Sequence, residues 1–352
     1  MQNIIEQFTQ SIHEAGDTQS PLRIQGSGSK TFYGRTVQGT ELDVTPYCGI
    51  VSYEPTELVL TARAGTSLDE IEAALAAKGQ MLPFEPPHFG KGATLGGCIA
   101  AGLSGPRRAY AGSARDFVLG VRMLDGNGED LRFGGQVMKN VAGYDVSRLL
   151  AGSMGTLGLL LEVSLKVLPV PAQELTLRFK QSEVEALDKM NRWAGQPLSL
   201  SATCFYNGEL TVRLSGATAA VKSVRQKLGG DEVHDADLFW HSLREQQHRF
   251  FASAQSLWRL SLPSSAATAE LPGQQLIEWG GALRWLSSDA SADTIRQTAT
   301  ALGGHATLFR SATPIEQPFQ PLSAPLLEIH KRLKQRFDPH HIFNPGRMYA
   351  EY

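Results

Sequence analysis

The chain has 352 residues, more than one hydrophobic core usually serves, so two domains are expected. Hydrophobic residues make up 42% and charged residues 19%, which excludes a fibre or a disordered chain. Lysine and arginine total 33 against 35 acidic residues, and a net charge of −2 argues against nucleic acid as the partner, because such binders need a basic excess.

The opening residues, MQNIIEQFTQSIHEAG, lack the basic start and apolar run of a signal peptide. They predict a short amphipathic helix with Ile4, Ile5, Phe8 and Ile12 near one face. Residues 21–25 read as a strand running into Gly26-Ser27-Gly28-Ser29, and 58–64 as a second strand ending at Gly65. Residues 68–78 predict a helix: Ser67 caps it, Glu70 completes a capping box, Leu68, Ile71 and Leu75 share a face, and Gly79 stops it. Residues 118–124 and 130–133 flank Gly126-Asn127-Gly128 as a hairpin, and 157–168 is an almost continuous strand run.

Pro169-Val170-Pro171 marks a domain boundary. Beyond it glycine thins. Candidate helices at 182–193, 217–228 and 291–302 alternate with candidate strands at 175–179, 209–214, 257–262, 282–286 and 305–309, which suits a small α+β domain. Residues 323–336 form an amphipathic helix with Leu326, Ile329, Leu333 and Phe337 on one side. Its Lys331, Arg332, Lys334 and Arg336 read as a solvated face or a subunit-docking face. No stretch is long and apolar enough to predict a transmembrane segment. Cys48, Cys98 and Cys204 are far apart, with no CxxC or Cys/His cluster. They read as three small buried residues in a reducing cytoplasm, and no metal or iron–sulfur site is expected in this chain.

Two segments supply what a pyrophosphate needs, backbone N–H groups with no side chains in the way. The first is Gly26-Ser27-Gly28-Ser29-Lys30; the second is Gly92-Ala93-Thr94-Leu95-Gly96-Gly97, preceded by Pro86-Pro87. The first is not a Rossmann fingerprint, since the third glycine position is Thr31. The second is not a Walker loop, since Gly90-Lys91 is followed by Gly92 where a Ser or Thr is required. After them come a small-residue run to Gly105, Gly112-Ser113-Ala114-Arg115-Asp116, Gly143-Tyr144-Asp145, Gly152-Ser153-Met154-Gly155-Thr156-Leu157-Gly158, and finally Asp338-Pro339 with Asn344-Pro345-Gly346.

In this order of motifs the chain resembles the vanillyl-alcohol oxidase, or PCMH-type, FAD-binding flavoproteins over residues 20–171 and again over 323–348. The phrases Lys139-Asn140-Val141-Ala142-Gly143-Tyr144-Asp145 and Phe343-Asn344-Pro345-Gly346-Arg347-Met348 are similar to those of the shorter flavin-type subunits of bacterial glycolate oxidases. The resemblance implies an α+β fold: a PCMH-type FAD domain of two α+β subdomains from 1–171, completed by 323–352, with a smaller α+β cap domain at 172–322.

It also implies the site. Gly26, Ser27, Gly28, Ser29 and Lys30 wrap the FAD pyrophosphate, and Gly92, Thr94, Leu95, Gly96 and Gly97 run beside the pyrophosphate and flavin. Gly102, Gly105, Ser113, Arg115 and Asp116 follow along the cofactor, Gly155, Thr156 and Gly158 approach near the adenine, and Asn344 packs back near the flavin. Many relatives attach FAD through a histidine in the first loop. None stands here, and His88 reads as a satisfied or exposed histidine, so a non-covalent FAD is expected.

The substrate end is thinner. Relatives acting on D-2-hydroxy acids carry an H-x-x-G-D-G-N-x-H pattern that this chain lacks, and His234, His241 and His248 stand two helical turns apart, too far to share one ion. No catalytic residue is assigned. Arg107 and Arg108 read either as a clamp for a carboxylate or flavin anion or as surface cations, and Tyr144 either packs or places a hydroxyl near the flavin. Arg284, Arg310 and Trp285 are candidates to face the flavin from the cap domain. Of three functions the first is the expected one, because the missing histidine pattern argues against the second and the two intact glycine loops against the third. The first is a flavin subunit of a glycolate oxidase complex, working with a larger flavin subunit and an iron–sulfur subunit on a small 2-hydroxy acid, in the cytoplasm or at the inner face of the membrane. The second is a self-sufficient flavin dehydrogenase and the third a non-catalytic assembly subunit.

Overall fold

The computed structural model describes residues 2–135, 145–252, 256–313 and 316–352. The chain divides into two compact units: Met1–Leu103 with Ser113–Pro169 and Pro321–Tyr352, and Ser104–Gly112 with Val170–Gln320. The sequence alone keeps 104–112 inside the first domain. The structure puts it in the second, where the Trp279 indole donates to the Gly105 carbonyl (3.0 Å) and Arg107 pairs with Glu174 (2.6 Å).

The first unit holds a five-stranded antiparallel sheet in the order Ile50–Glu54, Val59–Arg63, Leu159–Lys166, Val118–Leu124, Asp130–Gly134. A second, parallel pair joins Leu22–Gln25 to Thr40–Asp43. The amphipathic helix Gln2–Thr18 buries Ile5, Phe8 and Ile12 against Leu22, Leu42, Tyr47, Leu159 and Phe343. Each such side chain contributes about 1.5–3 kcal/mol of transfer free energy. The helix Leu68–Ala76 buries Leu68, Ile71 and Leu75 completely. Ser67 Oγ accepts from the Glu70 amide (3.1 Å), so the forward half of the expected capping box forms.

The C-terminal segment closes this unit. Leu22 N donates to Ile342 O (2.7 Å) and Asn344 N to Leu22 O (3.0 Å), so 342–344 runs parallel beside the first strand. The turn is held by an internal cation that corrects a sequence expectation. Lys334, read as part of a solvated face, is fully buried on the helix Ala324–Phe337. Its ammonium donates to Asp338 Oδ2 (2.7 Å), Phe343 O (2.7 Å) and Thr156 O (2.9 Å), using all three protons. Asp338 also accepts from the amides of Ile342 (3.1 Å) and Phe343 (2.8 Å).

The second unit is built on an eight-stranded antiparallel sheet, in the order Asp231–Glu232, Gln173–Lys180, Glu209–Gly216, Leu200–Tyr206, Gln274–Glu278, Leu283–Ser287, Ser256–Ser261, His305–Ser311. The helices Glu183–Ala194 and Thr218–Leu228 pack Ala186, Leu187, Met190, Val221 and Val224 on Leu177, Phe205, Leu210, Val212 and Ile277. The helix Ala292–Ala301 packs Ile295 and Ala299 on Trp258, Leu260, Leu286 and Ala306. The strand Leu200–Tyr206 escapes sequence prediction: it is buried nearly throughout, so no polar alternation marks it.

Candidate functional site

In the first unit the chain leaves the strand Leu22–Gln25 and turns under its own glycines. Gly26 lies so close to Thr94 that a Cβ there would meet Thr94 Oγ1 at 2.3 Å, and this fixes the first glycine loop on the second. Gly28 takes the left-handed conformation (φ 74°), which a side chain resists. The next contacts repeat the pairing of the loops: a Cβ at Gly92 would stand 3.9 Å from the Ser27 Cβ, and Lys30 Nζ donates to His88 O (3.1 Å).

Beside the first loop opens a cavity of about 410 Å³, lined among others by Gly26, Ser27, Gly28, Ser29, Lys30, Tyr33, Thr94, Gly97, Met154, Asn344 and Arg347. A smaller recess of about 70 Å³ shares Gly26, Gly97, Met154 and Asn344 with it and is walled by Gly96, Gly155 and Gly158. Among the described residues, the amides of Ser27, Gly28, Ser29 and Gly92 donate to no protein acceptor. Successive N–H groups around a left-handed residue form an anion-binding concavity, with Lys30 and Arg347 adding positive charge. Burial brings the Arg347 pKa down to about 10, still cationic at neutral pH. This donor set fits a pyrophosphate.

Arg347 and Met154 are wall residues that sequence reasoning missed as such. The Arg347 guanidinium donates to Arg35 O (2.7 Å), Thr31 O (3.1 Å) and Lys30 O (3.3 Å), so the C-terminal segment clamps the first loop by its carbonyls. The signal was present, three residues past Asn344 in Asn344-Pro345-Gly346-Arg347. Asn344 is 5% exposed; it accepts from Ile24 N (2.9 Å) and donates to Met154 O (2.8 Å), tying three segments of the cavity wall. His88 places its ring between two carboxylates, Nδ1 3.3 Å from Asp69 and Nε2 3.2 Å from Glu72.

Other residues expected along the cofactor also have structural work. Leu95 is a fully buried core side chain whose amide donates to Thr66 O (2.8 Å). Gly96 donates to Ala64 O (2.8 Å) and allows the helix Leu95–Ala101 to touch Ala64. Gly102 ends that helix against Gly152, which a Cβ would meet at 2.9 Å. Thr156 Oγ1 donates to Ser153 O (2.7 Å) and its carbonyl serves Lys334. Ser113 and Asp116 form the capping box of the short helix Ala114–Phe117, and Arg115 is exposed on it. Gly105 lies in the second unit. Tyr144 and the rest of 136–144 lie outside the described residues.

In the second unit the arginine candidates are placed, and they are not drawn together. Arg284, expected to face the flavin, is fully buried and donates to the carbonyls of Ala266 and Ala267 (both 2.6 Å) and Gly281 (3.4 Å). A guanidinium so occupied organises the 266–281 backbone and has little left for a ligand. Trp285 likewise turns its indole N–H to buried Glu278 (2.9 Å). Arg107 is 7% exposed and bonded to Glu174 and Ser215, so its surface reading is corrected. Arg108 stacks on Trp279 at 4.4 Å, and Arg310 is half-buried on the edge strand His305–Ser311. Among the described residues no three His, Cys, Asp or Glu side chains converge as metal ligands do. Nor is any described helix long and apolar enough to cross a membrane.

Two glycine loops packed on each other beside a cavity, in a mixed helix-and-sheet unit, are the features of a PCMH-type FAD-binding oxidoreductase component. The family model described as an FAD binding domain matches residues 5–134. A protein of Escherichia coli (strain K12), glycolate oxidase subunit GlcE, is 55% identical over 350 residues, 99% of this chain and 97% of that protein. The chain belongs to the family of that glycolate oxidase subunit. Glycolate oxidase subunit GlcD of Bacillus subtilis (strain 168) is 33% identical over 168 residues, 47% of this chain and 36% of that one. A solved alkyldihydroxyacetonephosphate synthase shares the fold at a TM-score of 0.66 with 14% identity, covering 97% of this chain and 75% of that chain.

Proposed function

We propose that this chain is the FAD-binding subunit of a glycolate oxidase complex, taking part in the oxidation of glycolate to glyoxylate. The observation that carries the reading is the 55% identity to the E. coli subunit along 99% of the chain. The amide cradle supports it from the structure. Gly26–Lys30, Gly92, Thr94, Gly97, Asn344 and Arg347 hold the cofactor, while Gly96, Gly155, Gly158, Leu95, Gly102 and Thr156 keep the loops in place around it. Bound there, FAD supplies the two-electron acceptor that a hydroxy acid needs on becoming a keto acid.

The flavin is held without a covalent bond. The first loop has no histidine, and the His88 ring is engaged by Asp69 and Glu72. The complex includes a larger flavin subunit and an iron–sulfur subunit that takes the electrons onward. It stands in the cytoplasm, at the inner face of the membrane through its partners; three unpaired cysteines suit that reducing compartment.

The test is to purify the chain alone, record its visible spectrum, and add glycolate without oxygen. A flavin spectrum that bleaches assigns dehydrogenation to this chain. A flavin that stays oxidised until the larger flavin subunit is added assigns the substrate site to the partner or the shared assembly. Failure to bleach in the reconstituted complex overturns the glycolate reading. Acid precipitation should release all the colour; flavin left in the pellet contradicts non-covalent binding.

A further inference from the structure

The second unit contains a cavity that the flavin reading leaves unused. The eight-stranded sheet has one face packed on the Leu177, Val212 and Ile277 core. Alternation along the strands turns the neighbouring residues to the other face. There Arg178 stands opposite Thr211, and Thr211 opposite Cys204, in one cross-strand row. Phe239 comes from the helix Ala236–Arg244, His248 from the loop that follows, and Arg249 from the start of the helix Arg249–Ala252. With Tyr206, Asn207 and Glu209 they enclose about 350 Å³, a volume that suits a small organic molecule better than an inorganic ion.

The walls form a continuous chain of contacts. The Arg178 guanidinium lies 5.8 Å from the Phe239 ring, and Phe239 meets His248 edge-on at 5.8 Å. His248 meets Tyr206 edge-on at 5.3 Å, and the Arg249 guanidinium lies 5.3 Å from the Tyr206 ring. A cation therefore stands at each end of an aromatic row.

These cations are under-employed. Arg178 Nε is buried with no hydrogen-bond partner, and the carboxylate of Glu209 is 3.7 Å from Arg178 Nη1, beyond a charge-assisted hydrogen bond. Among the described residues Arg249 has no hydrogen bond or ion pair. His248 Nδ1 accepts from Phe250 N (3.3 Å), so in the neutral ring the proton sits on Nε2. Burial, and then Arg249 and Arg178, hold the His248 pKa below its ordinary value, so the ring stays neutral and Nε2–H is a donor near neutral pH.

We propose that this cavity binds a small organic carboxylate with a flat apolar body. Arg178, Arg249 and the Nε2–H of His248 receive the carboxylate; the Tyr206 and Phe239 rings flank the body. Glu209 is the one carboxylate in the lining, and against two guanidinium groups it leaves the site net positive. All of these residues belong to the second unit, and none lines the cavity beside the glycine loops.

Benzoate is the probe, titrated by calorimetry into the full chain near neutral pH and at low salt, with FAD present and again with FAD removed. Saturable one-to-one binding is expected in both. Arg249→Gln, an exposed change, should weaken it at least about tenfold, equivalent to about 1.4 kcal/mol. Arg178→Gln should weaken it at least as much, with the unfolding midpoint measured beside it to show that the variant is folded. No saturable heat with the wild-type chain overturns the proposal. So does benzoate affinity that Arg249→Gln leaves unchanged, since binding is then elsewhere.

Discussion

Gly28 and Gly96 are both small, for different reasons, and their variants should part company. Around Gly28 the nearest atoms to an added Cβ are 3.7 Å away, so space is not limiting; the left-handed φ is. In Gly28→Val the loop should relax to a negative φ and swing its amides out of the cradle. FAD content should then fall sharply while the unfolding midpoint of the flavin-free protein barely moves. Gly96→Val instead drives a side chain into Ala64, 2.8 Å from its Cβ, and should destabilise the unit by about 1–3 kcal/mol with or without flavin. Absorbance per protein and thermal melts of both variants decide this; full FAD content in Gly28→Val removes the first loop from the site. Thiol chemistry offers a second check at this scale. Burial pushes the Cys98 thiol up to about 12 and raises that of Cys204 well above its ordinary value, whereas Cys48 is half-buried rather than buried as its sequence suggested. In the folded chain iodoacetamide should modify Cys48 alone, as peptide mapping would show.

At the scale of elements, the C-terminal helix is anchored by a buried ion pair and by the ring contacts of His330 and Phe337. Removing Lys334 leaves Asp338 buried with only its backbone donors, and loss of one partner of such a pair costs about 3–5 kcal/mol. Lys334→Met should lower urea stability by an amount of that order, and Lys331→Met, on the exposed face, by less than about 0.5 kcal/mol. His330 Nδ1 lies 2.7 Å from the Tyr352 hydroxyl, and burial depresses its pKa below the ordinary 6.5. The unfolded chain then binds more protons, so this contribution is present above pH 6.5 and is lost as the pH falls through the lower folded value. His248 and His305 are depressed by burial in the same sense. His330→Gln should therefore flatten part of the acid-side loss of stability; an unchanged pH profile would show that the buried His330 ring carries none of it.

For the whole molecule, a dissociable cofactor acts on stability by mass action. FAD binding to the folded chain alone should raise the unfolding free energy by about 2.7 kcal/mol at a hundred times its Kd. Scanning calorimetry with increasing FAD should show a midpoint that climbs with the logarithm of concentration. The Gly28→Val protein should show little climb. A wild-type midpoint indifferent to FAD would argue that the cradle has another occupant.

Much of the molecule was legible because its signals are local. The Ser67 cap with Leu68, Ile71 and Leu75, the 118–134 hairpin and the two glycine loops follow from periodicity and backbone conformation, which neighbours in sequence decide. Motif order then sufficed for the FAD-binding class. What tertiary structure alone decided is which charged groups are inside. Lys334 looks like its exposed neighbours Lys331 and Arg332 until Asp338, Phe343 O and Thr156 O surround it. Arg284 looks like a ligand-facing cation until three carbonyls claim it, and Ser104–Gly112 looks like the first domain until Glu174 and Trp279 hold it in the second unit. A charge is buried only where partners distant in sequence replace its water, and that condition is met by the fold rather than by any window of residues.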